Sequence, residues 1–168
     1  MNRMNSDNWV TEIEAARDRI AGFAIQTPVA LITENSESFG SVRLYLKLEN
    51  FQRTGSFKVR GAANKIFSLT PEEARRGVVT SSAGNHGLAV ATSARQRGIS
   101  AEVFLCSEVS PEKARWIGQC GASVRRIGET PLEAEVTARA FVETNGKTYV
   151  SPYNDPSWWL AREPLHSN

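Results

Sequence analysis

Apolar residues at Val10, Ile13, Ala16 and Ile20 recur at steps of three and four. This spacing predicts a helix over 9–22, with Asp7 or Thr11 available as its cap. Pro28 then forces Thr27 into extended backbone. Val29 to Ile32 is a short apolar run, and Glu34 to Ser41 is polar with Gly40 as a stop. Val42 to Leu48 alternates apolar with other residues, the period of a strand. Ser56 is placed to cap a helix whose apolar stripe is Val59, Ala62, Ala63, Ile66 and Phe67. Lys58 lies beside that stripe, near the positive end of the helix. Thr70, Pro71, Glu72 and Glu73 form a cap, a first-turn proline and two first-turn acids, opening a short helix that stops at Gly77.

From Val78 the alternation becomes regular. Strands are predicted at 78–81, 101–106, 123–127 and 148–151, and helices at 85–97, 110–117 and 131–144. Gly98, Gly121 and Gly146 punctuate the helix ends. Strand and helix in strict turn predict an α/β fold, an open parallel sheet with helices on both faces.

Composition narrows the classes. The chain has 168 residues, 40% hydrophobic and 23% charged, in the range of a globular domain. A net charge of +2 with no basic run gives no case for nucleic acid. No window approaches 18 consecutive apolar residues, so no membrane helix is expected. The stretch from Met1 to Val10 is polar and lacks a signal-peptide core, so the cytoplasm is the expected compartment. Cys106 and Cys120 show no metal-ligand spacing and are expected to be reduced thiols. No metal site is expected.

Two stretches carry candidate chemistry. The segment 82–87, Ser82-Ala83-Gly84-Asn85-His86-Gly87, joins a strand to a helix, where open parallel sheets bind ligands. Small residues there let a ligand approach the backbone, and a helix N-terminus favours an anion. An ordinary strand-to-helix turn would read the same way. Lys58 at a helix start is mildly unfavourable against the dipole. A lowered amine pKa would suit it to Schiff-base chemistry, whereas most lysines are simply solvated. His86 reads more readily as a hydrogen-bonding residue than as a general base.

The run from Lys47 to Ala62, Lys-Leu-Glu-Asn-Phe-Gln-Arg-Thr-Gly-Ser-Phe-Lys-Val-Arg-Gly-Ala, resembles the lysine motif of the fold-type II pyridoxal-phosphate enzymes. Within these it is similar to the threonine/serine dehydratase branch. Ser82 to Gly87 resembles that family's asparagine loop, in the right order and at the right separation. The match runs from about residue 10 to Pro156. The resemblance implies that Lys58 forms a Schiff base with pyridoxal 5'-phosphate and later serves as base and acid. It implies that Phe57 packs on the pyridine ring and that Asn85 bonds its phenolic oxygen. Ser82, Ala83, Asn85 and His86 would hold the substrate carboxylate. The implied reaction turns L-threonine or L-serine into a 2-oxo acid and ammonia. The implied partner is that small amino acid, and the intact parent would be a homo-oligomer. Two positions depart from the pattern. Ala83 stands where racemases of the family have a serine, and Leu88 where glutamine is frequent. The alternatives are another fold-type II lyase, such as a hydroxyectoine-pathway or 3-hydroxyaspartate dehydratase, or a non-catalytic fragment acting as a small α/β binding module.

The resemblance implies a division of the chain. Residues 1–72 would open an incomplete large domain, 73–150 would form the small α/β domain, and 151–168 would be a return segment. The family's second half would carry a glycine-rich phosphate loop and a partner for the pyridine nitrogen. Here the chain runs from Ser157 through Trp158 and Trp159 to Asn168 without them. A choice of synonymous codons for this tail, read in another frame, gives Val-Val-Ala-Gly-Gln-Gly-Thr-Leu-Ala-Leu-Glu, the family's continuation. The expectation is a frameshift near Ser157 and a truncated chain. DNA whose other frame fails to continue into a glycine-rich loop would disprove it.

Overall fold

The computed structural model describes residues 6–32 and 42–153. The polar stretch at 34–41 and the Trp158–Trp159 tail lie outside the described residues. The first helix, α1 (Ser6–Ile20), begins ahead of Asp7 and Thr11, so both fall inside it and neither caps it. β1 (Val29–Ile32) pairs antiparallel with β2 (Leu44–Lys47). The alternation at 42–48 is trimmed at both ends because β1 offers only four partners, from Val29 against Lys47 to Ile32 against Leu44.

α2 (Lys58–Phe67) follows a short 3-10 turn at Glu49–Phe51. α3 (Pro71–Arg76) starts in a capping box. The Thr70 hydroxyl accepts from the Glu73 amide, and the Glu73 carboxylate accepts from the Thr70 amide. The α/β run is β3 (Val78–Ser81), α4 (Asn85–Gln96), β4 (Ala101–Leu105), α5 (Pro111–Gln119), β5 (Ser123–Arg126), α6 (Pro131–Asn145) and β6 (Thr148–Tyr149). β3, β4, β5 and β6 form one parallel sheet in the order β5-β4-β3-β6.

Helices cover both faces of this sheet, as the alternation predicts. Val78, Val103 and Leu105 point into a core shared with Ala89, Val90 and Ala94 of α4 and Ile117 of α5. Val79 and Phe104 point the other way, onto Ala138 and Phe141 of α6. β4 is therefore buried along its whole length. The first core also takes in Val59, Ala62, Ala63 and Ile66 of α2, and Ala16 and Ile20 of α1. The stripe read from the α2 sequence thus lies on α4, with Lys58 at the start of α2 close enough to His86 at the start of α4 to act on its charge.

Candidate active site

The strand order creates the site. The chain moves outward from β3 to β4 to β5, then returns to lay β6 on the other side of β3. The direction of connection reverses between β3 and β6. In open parallel sheets, ligands bind outside the carboxyl ends of the strands at such a switch point. Two segments leave the sheet there, Ser82 to Gly84 after β3 and Val150 to Tyr153 after β6.

Lys58 reaches this point from α2. The helix begins at Lys58 itself, with Phe57 as its first flanking residue and no side-chain cap. Ser56 lies one position further out than a capping residue, and its hydroxyl accepts from the Lys58 amide at 3.4 Å. The Lys58 Nζ donates to the carbonyl oxygen of Pro152 at 3.2 Å. It also lies 5.5 Å from the Phe57 ring centroid and 5.6 Å from that of Tyr153.

The asparagine loop meets it from α4. No side chain caps α4 at Gly84, which leaves the positive end of a 12-residue helix for an anion. The Ser82 hydroxyl accepts from the Gly84 amide at 3.3 Å and shapes the turn. A Cβ on Gly87 would stand 2.2 Å from the Ser82 carbonyl oxygen, so helix and loop pack this closely only around glycine. At Gly84 a Cβ would meet nothing within 4 Å, so that side of the loop is open. Asn85 is exposed at the first helical position, while Ser82 and Ala83 are half-buried.

His86 turns inward. It is 3% exposed, and its Nε2 lies 3.0 Å from the Val150 carbonyl oxygen. A carbonyl only accepts, so Nε2 carries the hydrogen and Nδ1 is left as an acceptor. Burial lowers its pKa to about 4, the Val150 bond opposes this, and the nearby Lys58 charge lowers it further. The imidazole is therefore neutral at neutral pH. Its side chain is committed to Val150, and toward a ligand His86 offers its place in the first turn of α4. Val150 oxygen also accepts from the Thr80 hydroxyl at 2.8 Å, which fixes the start of the return segment to both β3 and α4.

A second group of residues holds the lysine stretch in place and was not singled out from the sequence. Arg60 makes a two-point pair with Glu49, Nε to Oε2 at 2.9 Å and Nη2 to Oε1 at 2.8 Å, and also donates to Ile25 oxygen at 3.0 Å. The Glu49 carboxylate also accepts from the Thr27 hydroxyl. Burial pushes this carboxyl up, but the bonds from Arg60 and Thr27 and the Arg60 charge outweigh it and hold the pKa below the ordinary value. Gln52 pairs in both directions with the Ile25 backbone, and Lys47 donates to Thr27 oxygen at 2.8 Å. The one available signal is Arg60 itself, a charge inside the buried run from Val59 to Ala63.

A cavity of about 370 Å³ opens beside the switch point, with Ser82, Ala83, Cys106, Glu135, Pro152 and Tyr153 in its wall. Lys58 and Asn85 are not in that wall. Lys58 meets its rim through Pro152 and Tyr153. Among the described residues no cluster of His, Cys, Asp and Glu could hold a metal.

Residues 20–164 match the family model described as "Pyridoxal-phosphate dependent enzyme". The chain belongs to this family. It is 38% identical over 144 residues to "L-threonine dehydratase catabolic TdcB" of Staphylococcus aureus, covering 86% of this chain and 42% of that one. Its fold is similar to the processed form of threonine deaminase isoform 2 from Solanum lycopersicum, with a TM-score of 0.90 and 30% identity. That likeness covers 98% of this chain and 45% of the other. It is also similar to maize serine racemase, with a TM-score of 0.86 and 31% identity, covering 93% of this chain and 47% of that one. The chain thus spans less than half the length of these relatives.

The residues present fit the family's cofactor at one end. A primary amine suits its aldehyde, the Phe57 ring beside that amine suits its pyridine face, and the exposed Asn85 amide suits its phenolic oxygen. The open side of Gly84 leaves room for such a group to approach the loop. No glycine-rich loop for the phosphate occurs among the described residues.

Proposed function

We propose that this chain is the lysine-bearing part of an enzyme that converts L-threonine or L-serine into a 2-oxo acid and ammonia. The observation that carries this reading is Lys58 at the β3–β6 switch point, its amine beside Phe57 and across from the uncapped end of α4. Pyridoxal phosphate held at Lys58 would supply the electron sink that lets the α-proton and β-hydroxyl of the amino acid leave.

The chain's own groups would do the rest. The end of α4, with Ser82, Ala83, Asn85 and His86, would hold the substrate carboxylate. Phe57 would pack on the cofactor ring, and Asn85 would donate to its phenolic oxygen. The Lys58 amine would accept the α-proton as base and give a proton as acid to the departing β-hydroxyl, which leaves as water. Hydrolysis of the remaining enamine would give the 2-oxo acid and ammonia. Ala83 has a methyl group where racemisation would need a proton donor on the other face, which favours elimination over the racemase chemistry of the maize relative.

In the parent, residues 1–72 would open the large domain and 73–150 would form the small one. Val29, Leu31, Tyr45 and Leu46 on β1 and β2 are exposed, which suits a two-stranded sheet covered by further polypeptide. A homo-oligomeric cytoplasmic parent fits the same picture.

The test is borohydride reduction of the chain mixed with pyridoxal phosphate, followed by peptide mass spectrometry. A pyridoxyl adduct concentrated on Lys58 supports the reading. An adduct spread evenly over Lys47, Lys65 and Lys113 sinks it. Release of 2-oxo acid from threonine against serine by the full-length parent would then decide the substrate.

A further inference from the structure

We propose that Tyr153 is a positioning residue whose ring, with the Pro152 carbonyl, forms a seat that holds the Lys58 side chain as an ammonium at the switch point. The proposal rests on reading Lys58 as the cofactor-binding lysine, though its test does not.

Tyr153 is 70% exposed, so burial does not explain where its ring lies. It lies 5.6 Å from the Lys58 nitrogen, within the range in which a ring face attracts a cation. Phe57 presents a second ring at 5.5 Å, and Pro152 oxygen accepts the hydrogen bond at 3.2 Å. Two ring faces and a carbonyl dipole all favour the charged amine over the neutral one.

The seat is built rather than incidental. Thr80 and His86 both donate to Val150 oxygen, two residues before Pro152. The Tyr153 amide donates to the Ser151 hydroxyl at 3.3 Å, a tight turn that fixes the ring's departure from the chain. His86 from α4 and the Tyr153 phenol from the return segment are titratable groups near Lys58, and the positive N-terminal ends of α2 and α4 oppose the ammonium that the seat favours. Neutral His86 contributes no opposing positive charge.

The seat bears on the lysine's chemistry. A lysine acts as nucleophile or base only as the neutral amine. By favouring the ammonium, the seat sets the pH at which that amine becomes available, and it fixes the place from which it is released.

The test uses the full 168-residue chain without cofactor. Short pulses of acetic anhydride across a pH series, read by peptide mass spectrometry, give a labelling midpoint for each lysine. In Tyr153→Leu the Lys58 midpoint should fall by roughly half a pH unit, the size expected for losing one cation–ring contact. In Tyr153→Phe, which keeps the ring, it should stay with the parent. The midpoint of Lys113, exposed on α5, should not move in either variant. An unchanged Lys58 midpoint in Tyr153→Leu overturns the proposal. So does an equal shift in Tyr153→Phe, or one shared by Lys113. Failure of Lys58 to take up pyridoxal phosphate would instead overturn the functional reading and leave this midpoint measurement intact.

Discussion

His86 of α4 donates through Nε2 to the carbonyl oxygen of Val150, 64 residues later, and is buried as a neutral ring in doing so. Its pKa of about 4 lies below the ordinary 6.5, so the unfolded chain binds the proton more tightly. Stability is therefore complete above about pH 6.5 and falls as pH drops toward 4, by roughly 3 kcal/mol at most. Denaturant melts at pH 7 and pH 5 measure it. His86→Gln keeps a donor without a titration, so its stability should fall less between those two values. An equally steep fall would show that other groups carry the acid sensitivity.

Arg60 and Glu49 are both nearly buried, with side chains 9% and 11% exposed. Removing one partner strands the other charge, so Arg60→Ala and Glu49→Ala should each cost about 3–5 kcal/mol in chemical unfolding. The double variant should cost clearly less than the two losses together. Strict additivity would mean that the pair does not act as a unit.

Gly87 and Gly84 make opposite forecasts three residues apart. Gly87→Ala drives a methyl group into the Ser82 backbone and should cost about 1–3 kcal/mol. Gly84→Ala meets open space with φ at −109° and should change stability by less than about 0.5 kcal/mol. Thermal melts of the two variants compare them directly, and equal losses would contradict the packing described for the loop.

The Thr70 cap offers a control away from the site. Thr70→Ala removes the hydroxyl that accepts from the Glu73 amide and should cost about 1 kcal/mol. Pyridoxal-phosphate uptake by that variant should match the parent. Reduced uptake at unchanged fold would tie α3 to the site in a way the geometry does not suggest.

The parts of this fold that are local in cause could be read from the sequence. Thr70, Ser110 and Thr130 each precede a proline and each accept from the amide three residues on, so α3, α5 and α6 start where their sequences say. Positive-φ glycines at 98, 121 and 146 follow α4, α5 and α6. Lys58 stands out in the sequence as a lysine at a helix start, and 82–87 as a loop of small residues between strand and helix, whereas Phe57 enters only through the family resemblance. What escaped reading depends on distant pairing. The Glu49–Arg60 pair joins two elements without periodicity, and the strand at 42–48 is cut to the length of its partner. Pro152 meets Lys58 through a backbone carbonyl, which no side chain announces.

The position of β6 has a further consequence, for the order of folding. β3, β4 and β5 follow one another closely, but β6 pairs Val78 with Thr148 across the whole α/β run. Closing so long a loop carries the larger entropic cost, so this pairing is expected to form late. Val150 and Pro152 come into place only with it. During synthesis and refolding Lys58 is then an ordinary solvated amine, and it acquires its particular surroundings in the last step. Pulse acetylation during refolding would follow that step directly, with Lys58 gaining its native labelling rate only after the β3–β4–β5 amides are protected from exchange.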